Sequence, residues 1–213
     1  MSARMTRREF TRAAGVVAAG AALASASGQA AAGQFTGRIK KAVKWPMIAG
    51  DMSVLDKFKL LKELGYDGVE IRVQDNVPAD EAAAAIKETG LPVHGVVLGS
   101  VNGIEGAVDL AKAYGATSVL LVAGRVNEKS PYAQNYEETQ ATIRAAIPYA
   151  KDQQIKLLVE NVWNNFLLSP LEMRDYIDEL DSEWVGVYFD VGNVVRFGWP
   201  EHWIPVLGER ICK

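Results

Sequence analysis

The chain has 213 residues, of which 49% are hydrophobic and 23% charged, a composition that is ordinary for a globular protein with one sizeable core. Its 23 basic and 26 acidic residues give a net charge of -3, which disfavours nucleic acid as a partner because no basic field is available to hold phosphodiesters. One cysteine, Cys212, excludes a disulfide within the chain, and two histidines, His94 and His202, disfavour a zinc site that relies on several imidazoles, whereas oxygen-ligand metals remain open.

Residues 1–33 have the layout of a secretory signal. The stretch Thr6-Arg7-Arg8-Glu9-Phe10 resembles the twin-arginine export motif, and an apolar run covers Ala13–Leu23. Small residues at Ala24–Ala26 or at Ala30–Ala32 offer a cleavage site. The run is too short and too rich in alanine to span a bilayer stably. We therefore expect the Tat export machinery as a partner, a mature domain of residues 34–213 in the periplasm, and no stable membrane anchor. The alternative is an alanine-rich amphipathic helix that belongs to the fold.

From residue 40 onward, six short apolar runs predict buried parallel strands, because they lack the polar alternation of a half-exposed sheet. The runs are Ala42–Ile48, Gly68–Val73, Pro92–Leu98, Ser118–Ala123, Lys156–Asn161 and Val185–Asp190. Helical patterns separate them: the stripe Val54, Phe58, Leu61 and Leu64, residues 80–88, residues 104–114, a long segment that carries Tyr136, Ile143 and Ile147, and a last helix that begins with a capping box at Ser169–Glu172. Pro148 is expected to disturb the last turns of the long helix.

This alternation of strands and helices predicts an α/β fold, either a (β/α) TIM barrel or a doubly wound open sheet. Two observations favour the TIM barrel. No glycine-rich phosphate loop follows the first strand, where a dinucleotide-binding sheet needs one. Polar residues also recur where the strands end, which is the rim at which TIM barrels place their chemistry. These residues are Glu70, Arg72, Glu160, Asn161, Asp190 and Asn193.

Two carboxylates that close successive apolar strands are the first candidates for chemistry. Glu160 directly follows Leu157–Val159, and Asp190 directly follows Val187–Phe189. A charge at the end of a buried strand is costly unless it is paired or bound to a metal, and two such acids converge if the strands form a barrel. Carboxylate oxygens favour Mg²⁺ or Mn²⁺. The alternative is structural, with Glu160 capping a neighbouring helix or pairing with Arg196.

These acids belong to motifs that resemble the xylose-isomerase-like TIM-barrel family of sugar isomerases and epimerases. The motifs are Gly65-Tyr66-Asp67-Gly68-Val69-Glu70-Ile71, Val159-Glu160-Asn161 and Phe189-Asp190-Val191-Gly192-Asn193. The resemblance implies that Glu160 and Asp190 are metal ligands, that Glu160 also lies beside the substrate carbon as a base, and that Glu70 faces the substrate pocket. Asn193 stands where many relatives carry a histidine near the metal. The implied reaction is metal-assisted proton transfer next to a sugar carbonyl.

Further candidate substrate contacts are Asn161, Trp163, His94 and His202. Trp163 follows the fifth strand at the rim, which makes it the stronger candidate for stacking on a sugar ring. His94 lies inside the third strand, where a core or rim histidine with satisfied hydrogen bonds is the alternative. His202 lies in a segment with two tryptophans, where ordinary packing is the alternative to lining the pocket mouth. Arg125, beyond the fourth strand, is interpreted as a solvated loop charge.

The predicted strands number six, whereas a closed TIM barrel has eight strands and about 250 residues. The last residues, Arg210–Lys213, read as the beginning of a seventh strand. In relatives, strand seven supplies a histidine or acid to the metal and strand eight a second catalytic glutamate, which the resemblance places beyond this sequence. We therefore expect a barrel truncated at the C-terminus, with open parallel edges, a weakly held metal and little activity.

Several functions remain open at this point. The preferred one is an isomerase or epimerase of a non-phosphorylated sugar, because no phosphate-binding cluster is evident and exported proteins meet free glycans. A metal-dependent lyase or hydrolase of oxidised keto-glycosides would begin with the same proton removal. A non-catalytic sugar-binding remnant is the alternative outside the enzymes. A DNA-repair endonuclease is disfavoured, since it needs a histidine-rich metal cluster and a basic face. The oligomeric state is left open.

Overall fold

Six parallel strands form one sheet whose order follows the sequence. The computed structural model describes residues 37–213, of which residues 41–213 make up one unit. The strands are β1 (Ala42–Lys44), β2 (Gly68–Arg72), β3 (Val93–Val97), β4 (Ser118–Leu121), β5 (Lys156–Glu160) and β6 (Val185–Tyr188), each parallel to the next. This order confirms the TIM-barrel interpretation over the doubly wound sheet, in which the strand order reverses at a switch point.

The sheet curls until β2 and β6 approach each other across its interior. The hydroxyl of Tyr188 on β6 donates a hydrogen bond of 2.8 Å to Oε1 of Glu70 on β2. In a flat sheet, four steps between strands would separate these two strands by about 19 Å. The hydrogen bond therefore requires the strong curvature of a barrel wall.

The last residues of the chain add to the sheet beside β6. Ile211 forms a parallel bridge with Val187, and the N–H of Cys212 donates to the carbonyl of Val187 at 3.0 Å. The N–H of Phe189 donates to the carbonyl of Lys213 at 2.7 Å. Residues 211–213 thus take the place next to β6 that the sequence predicted for them.

Helices connect the strands, and they begin largely where the sequence predicted. They are α1 (Val54–Glu63), α2 (Ala79–Thr89), α3 (Ile104–Ala113), α4 (Tyr132–Gln153), α5 (Pro170–Asp178), α6 (Val191–Val194) and α7 (Pro200–Leu207). Oγ of Ser53 accepts the N–H of Asp56 at 3.1 Å, and Oγ of Ser169 accepts the N–H of Glu172 at 3.2 Å. The carboxylate of Glu172 accepts the N–H of Leu168, so the predicted capping box is displaced by one residue on that side.

Pro148 does not disturb the long helix, and that prediction is wrong. Helix α4 continues through Pro148 to Gln153. A proline removes one helical N–H and crowds the preceding turn, but Ile143, Ala146 and Ala150 on the same helix are buried in the core. The burial of this apolar face holds the last turns in helical geometry despite the proline.

The observed strands are shorter than the predicted ones. Strand β1 ends at Lys44 because Trp45–Met47 forms a 3₁₀ turn, with proline at its second position. Strand β6 ends at Tyr188, and Asp190 becomes the cap of α6. An apolar run in the sequence indicates that a segment is buried, and burial continues past the last residue that pairs in the sheet. The runs are therefore longer than the strands.

Apolar side chains fill the space between the sheet and the helices. Fully buried members include Phe58, Ile71, Val119, Val159, Met173 and Tyr176. Buried polar side chains lie on α4, where they are Asn135, Thr139 and Gln140, and on the strands and their carboxyl ends, where they include Glu70, Ser118, Glu160 and Asn161. Buried polar groups need partners, and the group on the strands marks the region where chemistry is to be sought.

No helix within residues 37–213 is long and apolar enough to cross a lipid bilayer. The predicted export signal, residues 1–33, lies outside the described residues.

Candidate functional site

The carboxyl groups of Glu160 and Asp190 lie together at the carboxyl end of the sheet. Glu160 is the last residue of β5 and stands opposite Tyr188 in the register with β6, and Asp190 follows two residues later. Glu160 is only 7% exposed, and its carboxyl is within hydrogen-bonding contact of the Asp190 carboxyl. The two acids thus meet at the rim, as expected for consecutive strands of a barrel. Their role as metal ligands stays a prediction.

Asn161 and Asn193 tie the two strand ends together. Nδ2 of Asn161 donates to the carbonyl of Asp190 at 2.8 Å, and Oδ1 of Asn161 accepts the N–H of Asp190 at 2.9 Å. Nδ2 of Asn193 donates to the carbonyl of Asn161 at 2.9 Å, and its N–H donates to Oδ1 of Asp190 at 2.8 Å. The two amides therefore hold the carboxylates in position, while their predicted contact with substrate stays a prediction.

A second polar cluster spans the interior of the sheet. Glu70, which is 3% exposed, accepts the hydrogen bond from Tyr188. Nζ of Lys213 donates to Oγ of Ser118 at 2.8 Å and to the carbonyl of His94, and it lies 3.0 Å from Nδ1 of His94. His94 is thus a partly buried residue with hydrogen-bond partners, and its predicted contact with substrate stays a prediction.

Gly95 provides the room for this cluster. A Cβ atom at Gly95 would lie 3.2 Å from Oγ of Ser118, 3.4 Å from Nζ of Lys213 and 3.6 Å from Oε1 of Glu70. The absence of a side chain lets three polar groups approach the backbone of β3. Tyr188, Ser118 and Lys213 were not predicted as site residues. Ser118 begins β4, Tyr188 ends β6 and Lys213 lies beyond the last strand, so no pattern in the sequence marks them.

Burial sets the acidity of the carboxyl groups. Burial is the main reason that the pKa of Glu160 is raised to about 7; the charge of Lys44 opposes the rise, and Asp190 and Glu70 add to it. Burial also raises the pKa of Glu70, against the hydrogen bond from Tyr188. A carboxyl group that titrates near neutrality is suited both to accept and to return a proton.

The lowered pKa of His94 makes the stability of the protein depend on pH. Burial, and secondarily the charge of Lys213, lowers the pKa of His94 to about 4. Unfolded histidine has a pKa of about 6.5, so between these two values the unfolded state binds the extra proton. The contribution of His94 to stability is therefore present above pH 6.5 and is lost as the pH falls towards 4.

We expect wild-type protein to lose about 2 kcal/mol of unfolding free energy relative to the His94→Gln variant between pH 7 and pH 4. Urea denaturation at a series of pH values measures the difference, with His202→Gln as the matched control. Parallel pH profiles for wild type and His94→Gln would contradict this account of His94.

Trp163 stands at the same rim, with 52% of its surface exposed. Its Nε1 donates to the carbonyl of Asn193 at 3.2 Å, and the guanidinium of Arg196 lies 4.8 Å from the ring centroid. The ion pairs among residues 37–213 do not include Glu160 with Arg196, so that structural alternative is not formed. His202 is exposed on α7, and its place at the pocket mouth stays a prediction.

The carboxyl pair fits a divalent cation in its donor chemistry. Glu160 and Asp190 offer oxygen ligands of the type that Mg²⁺ and Mn²⁺ prefer, and Asp190 raises the pKa of Glu160, a repulsion that a cation would relieve. Within residues 37–213, no group of three or more Asp, Glu, His or Cys side chains is placed to hold an ion. The described residues thus offer two carboxylates, and water or sugar oxygens would complete the coordination.

Comparison with known proteins places this geometry in context. The sequence matches the family of xylose isomerase-like TIM barrels over residues 58–213. A segment of 44 residues is 50% identical to the 3-dehydro-D-guloside 4-epimerase of Escherichia coli K12, and it represents 19% of this chain and 16% of that epimerase. The chain therefore matches about a sixth of the length of this curated relative.

Solved structures of sugar epimerases share the fold. A 3-keto-D-glucoside 4-epimerase from E. coli superimposes with a TM-score of 0.71 at 18% identity, over 81% of this chain and 77% of that one. A D-allulose 3-epimerase from Methylomonas sp., in complex with D-allulose, gives 0.70 at 17% identity, over 81% and 70% of the two chains. At these identities the likeness establishes the architecture.

Proposed function

Because this chain belongs to the xylose-isomerase-like TIM-barrel family, we propose that it is a sugar epimerase or isomerase that moves a proton on the carbon next to a carbonyl. One observation carries the proposal: Glu160, a buried carboxyl at the barrel rim, has a pKa raised to about 7 and lies against a second carboxyl, Asp190. A buried acid with a raised pKa beside a second acid at this rim is typical of a catalytic centre.

Several residues have separate roles in the proposed reaction. Glu160 accepts the proton from the substrate carbon, since its carboxyl exchanges a proton readily near neutral pH. Isomerisation follows if Glu160 returns the proton to the neighbouring carbon, whereas epimerisation requires that solvent or a second group delivers a proton to the opposite face of the same carbon. Asn161 and Asn193 hold the strand ends so that Glu160 and Asp190 keep their separation. Glu70, fixed by Tyr188, faces the same interior and is proposed as a contact to a sugar hydroxyl.

We propose that Glu160 and Asp190 also bind Mg²⁺ or Mn²⁺. The chemistry that such a cation supplies when bound is Lewis-acid stabilisation of the negative charge that develops on the carbonyl oxygen. Two carboxylates hold a divalent ion weakly, so we expect activity to require an excess of the cation.

The proposed substrate class is a non-phosphorylated keto sugar. Support comes from the segment that is similar to a 3-dehydro-D-guloside 4-epimerase and from the fold shared with a D-allulose 3-epimerase. Both names describe sugars that carry a carbonyl beside a carbon that can be inverted.

Product analysis tests this function. The purified protein is incubated with keto sugars, with Mg²⁺ or Mn²⁺ in excess or with a chelator, and the products are followed by NMR. We expect one inverted or isomerised carbon, formed only with the cation. Cleavage products would indicate the lyase or hydrolase instead, and binding without turnover would indicate a sugar-binding protein; either outcome would overturn the proposal.

We further propose that the protein works in the periplasm, on the basis of the twin-arginine stretch in residues 1–33. Replacing Arg7 and Arg8 together with lysine should lower the periplasmic fraction by about tenfold, because the receptor reads the arginine pair. Cell fractionation and immunoblotting measure this, and Arg4→Lys is the matched control. Unchanged export of the double variant would contradict the assignment.

A further inference from the structure

Trp163 is an exposed aromatic residue with a fixed orientation. It follows Glu160 by three residues, and more than half of its surface is open to solvent. Its Nε1 is held by the carbonyl of Asn193, whose own N–H binds Asp190. The indole ring is therefore attached to both loops that carry the proposed catalytic carboxylates, and its polar edge is already satisfied. The apolar surface of the Trp163 ring remains available to a ligand.

Two arginines support this ring. The guanidinium of Arg196 lies 4.8 Å from the ring centroid of Trp163, and Nη1 of Arg125 donates to the carbonyl of Trp163 at 3.5 Å. Among the ion pairs within residues 37–213, neither arginine has a carboxylate partner. Arg125, interpreted from the sequence as a solvated loop charge, is exposed but anchors the tryptophan loop. Both guanidinium groups keep N–H donors free for a polar ligand.

The segment that carries Asn193 and Arg196 also exposes apolar side chains to water. Val191 and Val195 on and after α6 are 52% and 66% exposed, and Phe197 is 37% exposed. Arg196 lies 5.7 Å from the ring of Phe197 as well, so it sits between two aromatic residues. An aromatic plate with neighbouring N–H donors is the arrangement that binds a sugar ring, whose C–H face stacks while its hydroxyl groups accept hydrogen bonds.

Burial separates this plate from the catalytic centre. Glu160 is 7% exposed, whereas Trp163 is 52% exposed. A sugar ring whose carbon reaches the Glu160 carboxyl must enter the buried part of the rim, whereas Trp163 lies on its exposed part. One sugar ring can fill the inner site and still leave the outer plate uncovered.

We infer that Trp163, supported by Arg196 and Arg125, forms an outer subsite for the second ring of a glycoside whose keto-bearing ring reacts at Glu160. The inference rests on the proposed function and names its substrate class: a keto-glycoside in which the keto-bearing ring is linked to a second sugar, rather than a free ketose. The reaction leaves the glycosidic bond intact, and the outer ring serves for binding alone.

Calorimetry with two probes tests the subsite. The probes are a disaccharide in which one ring carries a keto group and the matching free keto-monosaccharide. In Trp163→Ala we expect about tenfold weaker binding of the disaccharide, with binding of the monosaccharide within about twofold of wild type. Trp163→Phe should restore most of the disaccharide affinity, because it keeps an aromatic face. Trp199→Ala, which removes a tryptophan that is 68% exposed, is the matched control and should bind both probes as wild type does.

Equal losses for the two probes in Trp163→Ala, or the same disaccharide loss in Trp199→Ala, would overturn the subsite. Equal kcat/KM values for the free ketose and the keto-disaccharide would also overturn it, while leaving the epimerase proposal intact. The proposed function can also fail while the subsite holds. Selective disaccharide binding that depends on Trp163, without any turnover, would refute the proposed function and support the subsite.

Discussion

Replacing Glu160 with glutamine is expected to lower kcat by about a thousandfold, because the amide cannot accept the proton from the substrate carbon. The substitution keeps the shape of the side chain and removes a buried carboxyl whose pKa is raised to about 7. The fold should therefore be retained, with a melting temperature equal to that of wild type or higher. Steady-state kinetics on the sugar found to be turned over, together with thermal denaturation, measure both effects.

The matched control for this experiment is Glu183→Gln, which alters an exposed glutamate just before β6. It should keep wild-type kcat and KM. If Glu160→Gln folds normally and retains more than about a tenth of wild-type kcat, then Glu160 is not the base and the proton is removed elsewhere.

Replacing Asn161 with alanine should destabilise the protein by about 2–4 kcal/mol. The side chain is 5% exposed and makes two hydrogen bonds to the backbone of Asp190, one as donor and one as acceptor. Its loss leaves the N–H and the carbonyl of Asp190, which is partly buried, without these partners, at about 1–2 kcal/mol for each group. Urea denaturation measures the change in unfolding free energy.

The same substitution should weaken catalysis, since Asn161 fixes the position of Asp190 relative to Glu160. Asn102→Ala is the matched control: Asn102 is exposed in the loop before α3, and its replacement should change stability by less than about 0.5 kcal/mol. A stability loss for Asn161→Ala no larger than that of the control would contradict the role of this amide in joining β5 to β6.

The order of strands and helices could be predicted from the sequence, because buried segments show a recognisable pattern of apolar residues. The apolar run before Glu160 predicts β5, and Ser169 predicts the beginning of α5 through its cap. The ends of the strands and the continuation of α4 through Pro148 could not be predicted, since they depend on tertiary packing. The apolar pattern continues through Trp45 although β1 has already ended, and the buried face of α4 outweighs the local cost of its proline.

The same distinction applies to the candidate site, where some residues could be predicted from the sequence and the contacts between distant residues could not. Glu160 and Asp190 were found because each ends an apolar strand with a charge, and the barrel brings the ends of consecutive strands together. The bond from Tyr188 to Glu70 was not found, because the two residues are 118 positions apart and meet only when the sheet curls. The support of Trp163 by Arg196 likewise depends on how two loops fold against each other.

Incorporation of solvent deuterium tests the central claim most directly. Proton transfer at Glu160 predicts that turnover in D₂O with excess Mg²⁺ or Mn²⁺ places deuterium on the carbon next to the carbonyl, visible by NMR, and that Glu160→Gln abolishes the signal. Product formed without deuterium on that carbon would contradict proton transfer through a carboxyl group that exchanges its proton with the solvent. Full incorporation by Glu160→Gln would show that another group removes the proton.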